Sequence, residues 1–267
     1  MSQTNPHPIV RTEIDGSLAR ITLGDVARRN ALSNEMFDGL EQAIAKVARE
    51  GCIAVALEAD GPAFCAGFDL RAAVEEVATL ESFIERLSRI ARALRRLEAV
   101  TIAAVQGPAL AGGAALVASC DLLLVTPEAR IGYPAVRLGI SPAVSLPTLL
   151  PTVGAGKARA MLLAGELVTG RDALASGWAS GLAENPDSLL ELVESTLRRL
   201  ASSGPESLRA TKRWLGGEEG TDSDADFDRT MQATLALAGG EECRSRMKAA
   251  LEATSSSATS ASGNRRG

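Results

Sequence analysis

The chain has 267 residues, and 46% of them are hydrophobic, so it is long and apolar enough for one large domain with a sizeable core. Its formal net charge is −5, with acidic and basic residues interspersed, which argues against a partner such as nucleic acid or a membrane surface. No signal-peptide pattern opens the chain, and no apolar run approaches a membrane span. The four cysteines are scattered without Cys-x-x-Cys spacing, so we expect a cytoplasmic protein with no metal site.

The histidine count restricts the possible chemistry. The chain contains 1 histidine, His7, which lies in a Pro-flanked N-terminal segment. A Ser-His-Asp or Cys-His mechanism would have to use this residue. We interpret His7 as part of a solvated arm, so these mechanisms are not expected.

The N-terminal quarter predicts a hairpin, a helix and a buried strand. Residues 9–14 and 18–23 are β-rich and flank an Asp-Gly pair, which is typical of a hairpin. Ser33 is a plausible N-cap for an amphipathic helix over residues 34–49, where apolar residues recur at three- and four-residue steps. Residues 52–57 form a continuous apolar run that predicts a strand buried on both faces.

The next part of the chain alternates helical and strand patterns. Residues 70–79 are compatible with a mobile helix or a loop, and residues 80–98 predict a longer amphipathic helix. Two further buried strands are predicted at residues 101–105 and 122–125, with a short helix at 112–119 between them. This alternation indicates an α/β fold.

Helical patterns dominate the C-terminal part. One helix is predicted to end near residue 164, and a second starts at Thr169, with Gly177 as its C-cap. Further helices are predicted at residues 187–202, 205–215, 224–238 and 241–252. We therefore divide the chain into an α/β core over residues 1–185, a helical region over 186–253 and a disordered Ser-rich tail over 254–267.

Two Gly/Ala-rich segments stand out because each follows a predicted strand and leads toward a helix. They are residues 61–70 and residues 106–116. Small residues let the backbone approach a ligand closely and leave amide N–H groups free. Either segment alone is more simply explained by turn geometry. As a pair, they could aim two N–H groups at one point and form an oxyanion hole for a thioester carbonyl.

With these segments the chain resembles the crotonase superfamily, also called the enoyl-CoA hydratase/isomerase family. The resemblance extends over about residues 9–251, and its landmarks are residues 28–33, 64–70, 107–109, 112–113 and 120–122. It implies a spiral of β-β-α units that form two stacked sheets, followed by a helical region. It also implies a coenzyme A thioester as substrate or ligand, no further cofactor, and a homotrimer or a homohexamer in which residues 186–253 mediate trimerisation.

The resemblance also assigns roles to individual residues. Ala66 and Gly112 would supply the two N–H groups of the oxyanion hole. Ala27 and Arg28 would border the CoA nucleotide, and Ala63, Asp69 and Leu70 would line the pantetheine end of the site. Asp69 could instead cap the following helix. The arginines of the helix at residues 80–98 could contact the CoA phosphates, although a solvated helix face explains them more simply.

The two glutamates that are most familiar in this family are missing. Their positions are occupied by Ala115 and Ala135. Candidate substitutes are Tyr133 and Ser141, which flank the second position in sequence. Further candidates are Arg137, Ser145, Cys65, Glu75 and Glu76. A structural or binding role is the simpler interpretation of each, because a free Tyr or Ser is a poor base at neutral pH.

Two functional hypotheses from different classes follow. In the first, the protein is an acyl-CoA lyase, isomerase or decarboxylase that relies mainly on the oxyanion hole, while ordinary enoyl-CoA hydration is not expected. In the second, it binds acyl-CoA without turnover, as a carrier, sensor or scaffold. An ionisable side chain near the reacting carbons would favour the first, and a wholly apolar pocket would favour the second.

Overall fold

A computed structural model describes residues 8–263 of the chain, with side chains through residue 253. His7, the remainder of the predicted N-terminal arm and the last four residues of the predicted tail lie outside the described residues. Within residues 8–263, no helix has both the length and the apolar character that crossing a bilayer requires.

The N-terminal hairpin and first helix are present as the sequence predicts. Strands β1 (Val10–Asp15) and β2 (Leu18–Leu23) pair antiparallel across the Asp-Gly turn. Helix α1 (Asn34–Arg49) starts at Ser33, whose hydroxyl accepts a hydrogen bond from the Met36 N–H at 3.2 Å. This contact satisfies one of the N–H groups that have no partner inside a helix, so the N-cap prediction is confirmed.

The central part of the chain consists of repeated units, each with two strands or strand-like segments and a helical segment. In chain order its elements are β3 (Ala54–Ala59), α2 (Leu70–Glu75), α3 (Val77–Arg96), β4 (Val100–Val105), β5 (Pro108–Leu110), α4 (Gly112–Ala118), β6 (Leu122–Val125) and β7 (Arg130–Gly132). The segment over residues 70–79, for which a loop was one alternative, is therefore mostly helical. Short 3-10 helices occur at Val26–Arg28, Pro134–Leu138 and Pro142–Ser145.

The C-terminal part is mainly helical. Its elements are α5 (Leu146–Leu163), β8 (Leu167–Thr169), α6 (Gly170–Ala175), β9 (Gly181–Leu182), α7 (Pro186–Ala201), α8 (Pro205–Glu218), α9 (Asp224–Leu235) and α10 (Glu241–Gly263). Helix α5 is interrupted at Gly154, which has φ 75° and ψ 159°. The predicted helix ending near residue 164 corresponds to the part of α5 after this interruption.

The strands form two sheets that the chain visits in turn. A six-stranded sheet has the order β1-β2-β3-β4-β6-β9, and a three-stranded sheet has the order β5-β7-β8. In chain order, β4 of the large sheet is followed by β5 of the small sheet, and β6 of the large sheet is followed by β7 of the small sheet. Each of these successive units therefore adds one strand to each sheet. Cys65 follows β3 and forms a parallel bridge with Ala109 of β5. This is the predicted spiral of β-β-α units.

The central strands are buried on both faces, as their continuous apolar runs predict. In β4, Ala103 and Val105 belong to the main core, whereas Val100, Ile102 and Ala104 belong to a second core. α7 covers this second face of the large sheet with Leu189, Val193 and Leu197. Helix α7 is therefore part of the layered α/β body.

Two differences from the sequence predictions have physical causes. β5, β7, β8 and β9 were not predicted, because strands of two or three residues are too short to show a period. Helix α10 continues to Gly263, whereas disorder was predicted from residue 254. Residues 254–262 are all Ala, Ser or Thr, so neither proline nor glycine interrupts the helix before Gly263 at its end. The helical backbone can therefore continue.

The arginines of α3 form ion pairs with the chain itself. Arg86 contacts Asp38 and Glu41 of α1, and Arg95 contacts Glu219 at 2.8 Å. Arg92 and Arg96 contact acidic residues of α9. These side chains link α3 to neighbouring helices, which favours a structural role for them over the phosphate-binding patch that was one alternative.

Gly107 provides a test of how closely the two Gly-rich segments approach. A Cβ atom on Gly107 would lie 2.0 Å from the carbonyl oxygen of Pro62, an overlap with backbone that cannot be relieved by a rotamer change. Gly107→Ala should therefore lower the free energy of unfolding by about 1–3 kcal/mol or more, as measured by urea denaturation. Gly156→Ala is the matched control, because a Cβ there meets nothing within 4 Å. Equal stability of the two variants would contradict the predicted close approach.

Candidate active site

The structure brings the two Gly-rich segments into direct contact. The Cys65 N–H donates to the carbonyl oxygen of Pro108 at 3.1 Å, and the Leu110 N–H donates to the carbonyl oxygen of Cys65 at 2.9 Å. A Cβ on Gly113 would lie 2.5 Å from the Cys65 oxygen, and a Cβ on Gly67 would lie 3.0 Å from the Leu110 oxygen. Glycine is required at these contacts because any side chain would separate the two backbones.

Ala66 does not have the free N–H group that its assigned role needs. Its N–H donates to the carbonyl oxygen of Arg29 at 3.0 Å, and this bond fixes the first segment against the loop before α1. An N–H group that already has an acceptor within the chain is not available to a thioester oxygen. The assignment of Ala66 to the oxyanion hole is therefore corrected: it lines the site, but its N–H has a structural role.

Phe68 has the free N–H group instead. Its neighbours Gly67 and Asp69 both bond to Leu32, through the Gly67 carbonyl at 2.8 Å and the Asp69 N–H at 3.1 Å. The Gly67 carbonyl and the Phe68 N–H belong to one trans peptide group and point to opposite sides, so the Phe68 N–H faces away from Leu32. Within residues 8–263 it has no hydrogen-bond acceptor.

Gly112 has the free N–H group that its assigned role needs. It is the first residue of α4, where the Ala115 N–H makes the first bond within the helix, to Ala111. The Gly112 N–H has no acceptor in the described part of the chain. Ala111 precedes it with φ 49° and ψ −108°, a rarely populated conformation for a residue with a side chain.

The two free N–H groups belong to neighbouring residues on one cavity wall. A Cβ on Gly112 would lie 3.5 Å from the Phe68 ring, and a Cβ on Gly67 would lie 3.6 Å from the Gly112 nitrogen. Both Phe68 and Gly112 line a cavity of about 310 Å³. The rest of its lining is mainly apolar and includes Leu70, Ile84, Leu87, Leu110, Leu138 and Val144.

The two alanines at the glutamate positions occupy different places. Ala135 lies on the cavity wall, in the 3-10 helix that follows β7. Ala115 lies one turn into α4, is 1% exposed and belongs to the main core. The cavity therefore meets a methyl group at position 135, and neither position supplies a carboxylate.

Tyr133, Ser141 and Ser145 all line the cavity, together with the exposed side chain of Arg137. Tyr133 is 1% exposed, and its hydroxyl forms no hydrogen bond with the described residues. Burial raises the pKa of Tyr133, and the nearby Ser145 hydroxyl lowers it by less. The phenol therefore remains protonated at neutral pH, which makes it a hydrogen-bond donor and excludes it as a resting base.

The remaining substitute candidates do not reach the cavity wall. Cys65 is completely buried, and burial raises the pKa of its thiol to about 12, so it is a core residue with no thiolate at neutral pH. Glu75 and Glu76 lie at the end of α2 with exposed side chains and are absent from the cavity lining.

The residues assigned to CoA binding are only partly brought together. The Asp69 carboxylate caps α2 by accepting from the Arg71 N–H at 3.1 Å, so the capping alternative is confirmed. Its second oxygen lies 3.7 Å from the Arg28 guanidinium, which also pairs with Asp25 at 2.7 Å. Leu70 lines the cavity. Ala63 is buried and Ala27 is exposed, and neither lines the cavity.

Helix α9 completes the cavity from the C-terminal region. Thr234 lines it, and its hydroxyl accepts from the Val144 N–H at 2.9 Å. Neither Thr234 nor Phe68 was identified from the sequence. The direction of the Phe68 N–H depends on the pairing of its neighbours with Leu32, which no local pattern reveals. Among the described residues, no cluster of His, Cys, Asp or Glu suits a metal ion.

Known proteins resemble this chain in sequence. A model of the family described as "Enoyl-CoA hydratase/isomerase" matches residues 13–235. A putative enoyl-CoA hydratase of Thermus thermophilus is 39% identical over 205 residues, which cover 75% of this chain and 81% of that protein. A probable enoyl-CoA hydratase of Mycobacterium tuberculosis is 32% identical over 192 residues, which cover 72% and 75%.

Solved structures agree with the fold. An enoyl-CoA hydratase/isomerase from Xanthobacter autotrophicus superposes with a TM-score of 0.82 at 27% identity, covering 91% of this chain and 93% of the other. A putative enoyl-CoA hydratase from Mycobacterium avium paratuberculosis gives a TM-score of 0.81 at 28% identity, covering 91% and 96%. The predicted crotonase-like fold is confirmed.

Proposed function

Because the chain belongs to the enoyl-CoA hydratase/isomerase family, we propose that it binds an acyl-CoA thioester with the carbonyl oxygen between the N–H groups of Phe68 and Gly112. The observation that carries this proposal is that both N–H groups lack acceptors and lie beside one apolar cavity. Such donors stabilise the negative charge that develops on a thioester oxygen when an enolate forms. The acyl chain then occupies the cavity of about 310 Å³.

The site polarises a carbonyl but has little means to move protons. Hydration needs a base for water and an acid for the α-carbon. The cavity wall carries Ala135 in place of a carboxylate, and Tyr133 stays protonated. We therefore propose a poor hydratase whose chemistry, where it occurs, depends on the oxyanion hole, as in an acyl-CoA lyase, isomerase or decarboxylase.

A non-catalytic acyl-CoA carrier, sensor or scaffold is the second candidate. It is favoured by the mainly apolar lining of the cavity, in which the ionisable side chains are Tyr133 and the exposed Arg137. Mass spectrometry after incubation with a set of acyl-CoAs distinguishes the two candidates. A carrier retains ligand of unchanged mass, whereas an enzyme releases or changes it.

Hydrogen exchange at single amides tests the position of the thioester. Without ligand, the Ala66 amide should exchange slowly because it is bonded to Arg29, and the Phe68 and Gly112 amides should exchange faster. Butyryl-CoA should slow exchange at Phe68 and Gly112 and leave Ala66 unchanged.

Free coenzyme A, which lacks the thioester carbonyl, is the matched control and should not protect these two amides. Protection of Phe68 and Gly112 by free coenzyme A, or no protection by butyryl-CoA when it binds, would place the carbonyl elsewhere.

The hydration rate tests the missing carboxylates. Each general acid or base typically contributes about 10²–10⁴-fold, so crotonyl-CoA hydration should be close to the background rate. Ala135→Glu places a carboxylate on the cavity wall and should raise the rate, whereas the similarly sized Ala135→Gln should not. The relatives are named hydratases, so this assay is decisive. Turnover of about one per second or faster by the unaltered protein would refute the proposal.

We also propose that the protein is a homotrimer or homohexamer. A groove beside α5 and α9 carries the exposed apolar side chains of Leu150, Leu163 and Leu237, which are 40%, 75% and 53% exposed. Exposed apolar patches are typical of protein interfaces. Sedimentation at micromolar concentration should give a trimer or hexamer, and Leu163→Arg should shift the distribution toward monomer. A monomer for the unaltered protein would overturn the proposal.

A further inference from the structure

Among the side chains that the structure describes, Tyr133 is the largest that is completely buried, and its hydroxyl has no hydrogen-bond partner among them. The residue is 1% exposed, and the hydroxyl oxygen forms no hydrogen bond within the described residues. A buried hydroxyl without a partner reduces stability, so such groups in native proteins usually meet a water or a ligand. Phenylalanine would fill the same volume without this cost. The phenol oxygen is therefore expected to form a hydrogen bond with a group outside the chain.

The position of Tyr133 connects it to the proposed thioester site. β5 and β7 pair in parallel with Leu110 opposite Gly132, and the Ala111 N–H donates to the Gly132 oxygen at 2.8 Å. Tyr133 follows Gly132 directly, so its ring begins beside the residues that lead into Gly112. Tyr133, Phe68 and Gly112 line the same cavity of about 310 Å³, so an acyl group whose thioester is held by the two N–H groups lies in the cavity that Tyr133 lines.

The surroundings of the phenol determine which chemistry it can recognise. Ser145 lies beside it, is 2% exposed and also lines the cavity. Ala135, on the same wall, contributes only a methyl group. The polar group beside the phenol is thus a neutral hydroxyl, which suits a neutral oxygen, and Arg137, the cation in the cavity lining, has an exposed side chain and does not share the buried position of the phenol.

We infer that Tyr133 is a specificity-determining residue whose hydroxyl donates a hydrogen bond to a neutral oxygen on the acyl group, close to the thioester. The ligand class is an acyl-CoA with a hydroxyl or keto oxygen near the thioester, with the Ser145 hydroxyl as a second contact. This inference rests on the proposed acyl-CoA binding. An unsubstituted acyl chain also fits the apolar cavity but leaves the phenol without a partner, and that difference is measurable.

Isothermal titration with matched ligands tests the inference. Butyryl-CoA and 3-hydroxybutyryl-CoA, the latter as both enantiomers, have the same chain length and differ by one oxygen. The unaltered protein should bind one 3-hydroxybutyryl enantiomer more tightly than butyryl-CoA, by roughly threefold to tenfold, the range for one added hydrogen bond. Tyr133→Phe should lower this ratio toward one by weakening only the 3-hydroxybutyryl complex, and the remainder is the contribution of the Ser145 hydroxyl.

Ser145→Ala is the control for a nearby hydroxyl and should reduce the ratio less than Tyr133→Phe. The melting temperature of Tyr133→Phe should be unchanged or higher, because the variant removes a hydroxyl without a partner. A clear decrease in melting temperature would show that the phenol has a structural partner and would overturn the inference.

The remaining outcomes separate this inference from the proposed function. Equal affinity of the unaltered protein for butyryl-CoA and both 3-hydroxybutyryl enantiomers, or a ratio that Tyr133→Phe leaves unchanged, overturns the role of Tyr133 and leaves acyl-CoA binding intact. Tighter binding of succinyl-CoA than of 3-hydroxybutyryl-CoA overturns the choice of a neutral oxygen. Failure to bind any of these thioesters overturns the proposed function itself.

Discussion

The close approach of two backbones at glycine is the constraint on which the site depends. Gly107, Gly113 and Gly67 each lie where a Cβ would meet a carbonyl oxygen of the other segment at 3.0 Å or less. Their packing allows the hydrogen bonds between Cys65, Pro108 and Leu110, which link the two segments. These links hold the two segments side by side, and the pairing of Gly67 and Asp69 with Leu32 sets the direction of the Phe68 N–H, so that Phe68 and Gly112 lie on one wall. The geometry of the candidate site is therefore a property of the backbone, and side chains contribute little to it.

This arrangement explains how a site can retain binding while it lacks proton-transfer groups. Backbone N–H groups cannot be removed by most substitutions, whereas a carboxylate disappears with a single residue change. With Ala135 on the wall and Ala115 in the core, the parts that persist are those encoded by glycine packing. An oxyanion hole acts through fixed dipoles, so it needs no titrating partner to stabilise a thioester oxygen. Binding and carbonyl polarisation can thus persist without acid–base catalysis.

Much of the fold and part of the site could be predicted from the sequence, and there is a physical reason why the rest could not. The helix at Asn34–Arg49 and the strand at Leu18–Leu23 match their predictions because burial on one face imposes a period that the sequence displays. The strand at Leu122–Val125 matches because burial of a central strand produces a continuous apolar run. The pairing of the Gly-rich segments was predictable from composition and spacing. That Phe68 and not Ala66 has the free N–H group was not predictable. The direction of these N–H groups depends on contacts with Arg29 and Leu32, which are distant in sequence.

The division of the chain at residue 186 does not separate the site from the helical region. Thr234 of α9 lines the cavity and its hydroxyl accepts from the Val144 N–H, which ties the helix to the segment that carries Ser141 and Ser145. Cys243 of α10 packs so closely on Gly139 that a Cβ there would lie 3.0 Å from its Cα. The C-terminal helices therefore close the cavity within the same chain. Any assembly that uses their outer faces would be coupled to the cavity through these contacts, since the same helices would pack against a partner on one side and against the ligand site on the other.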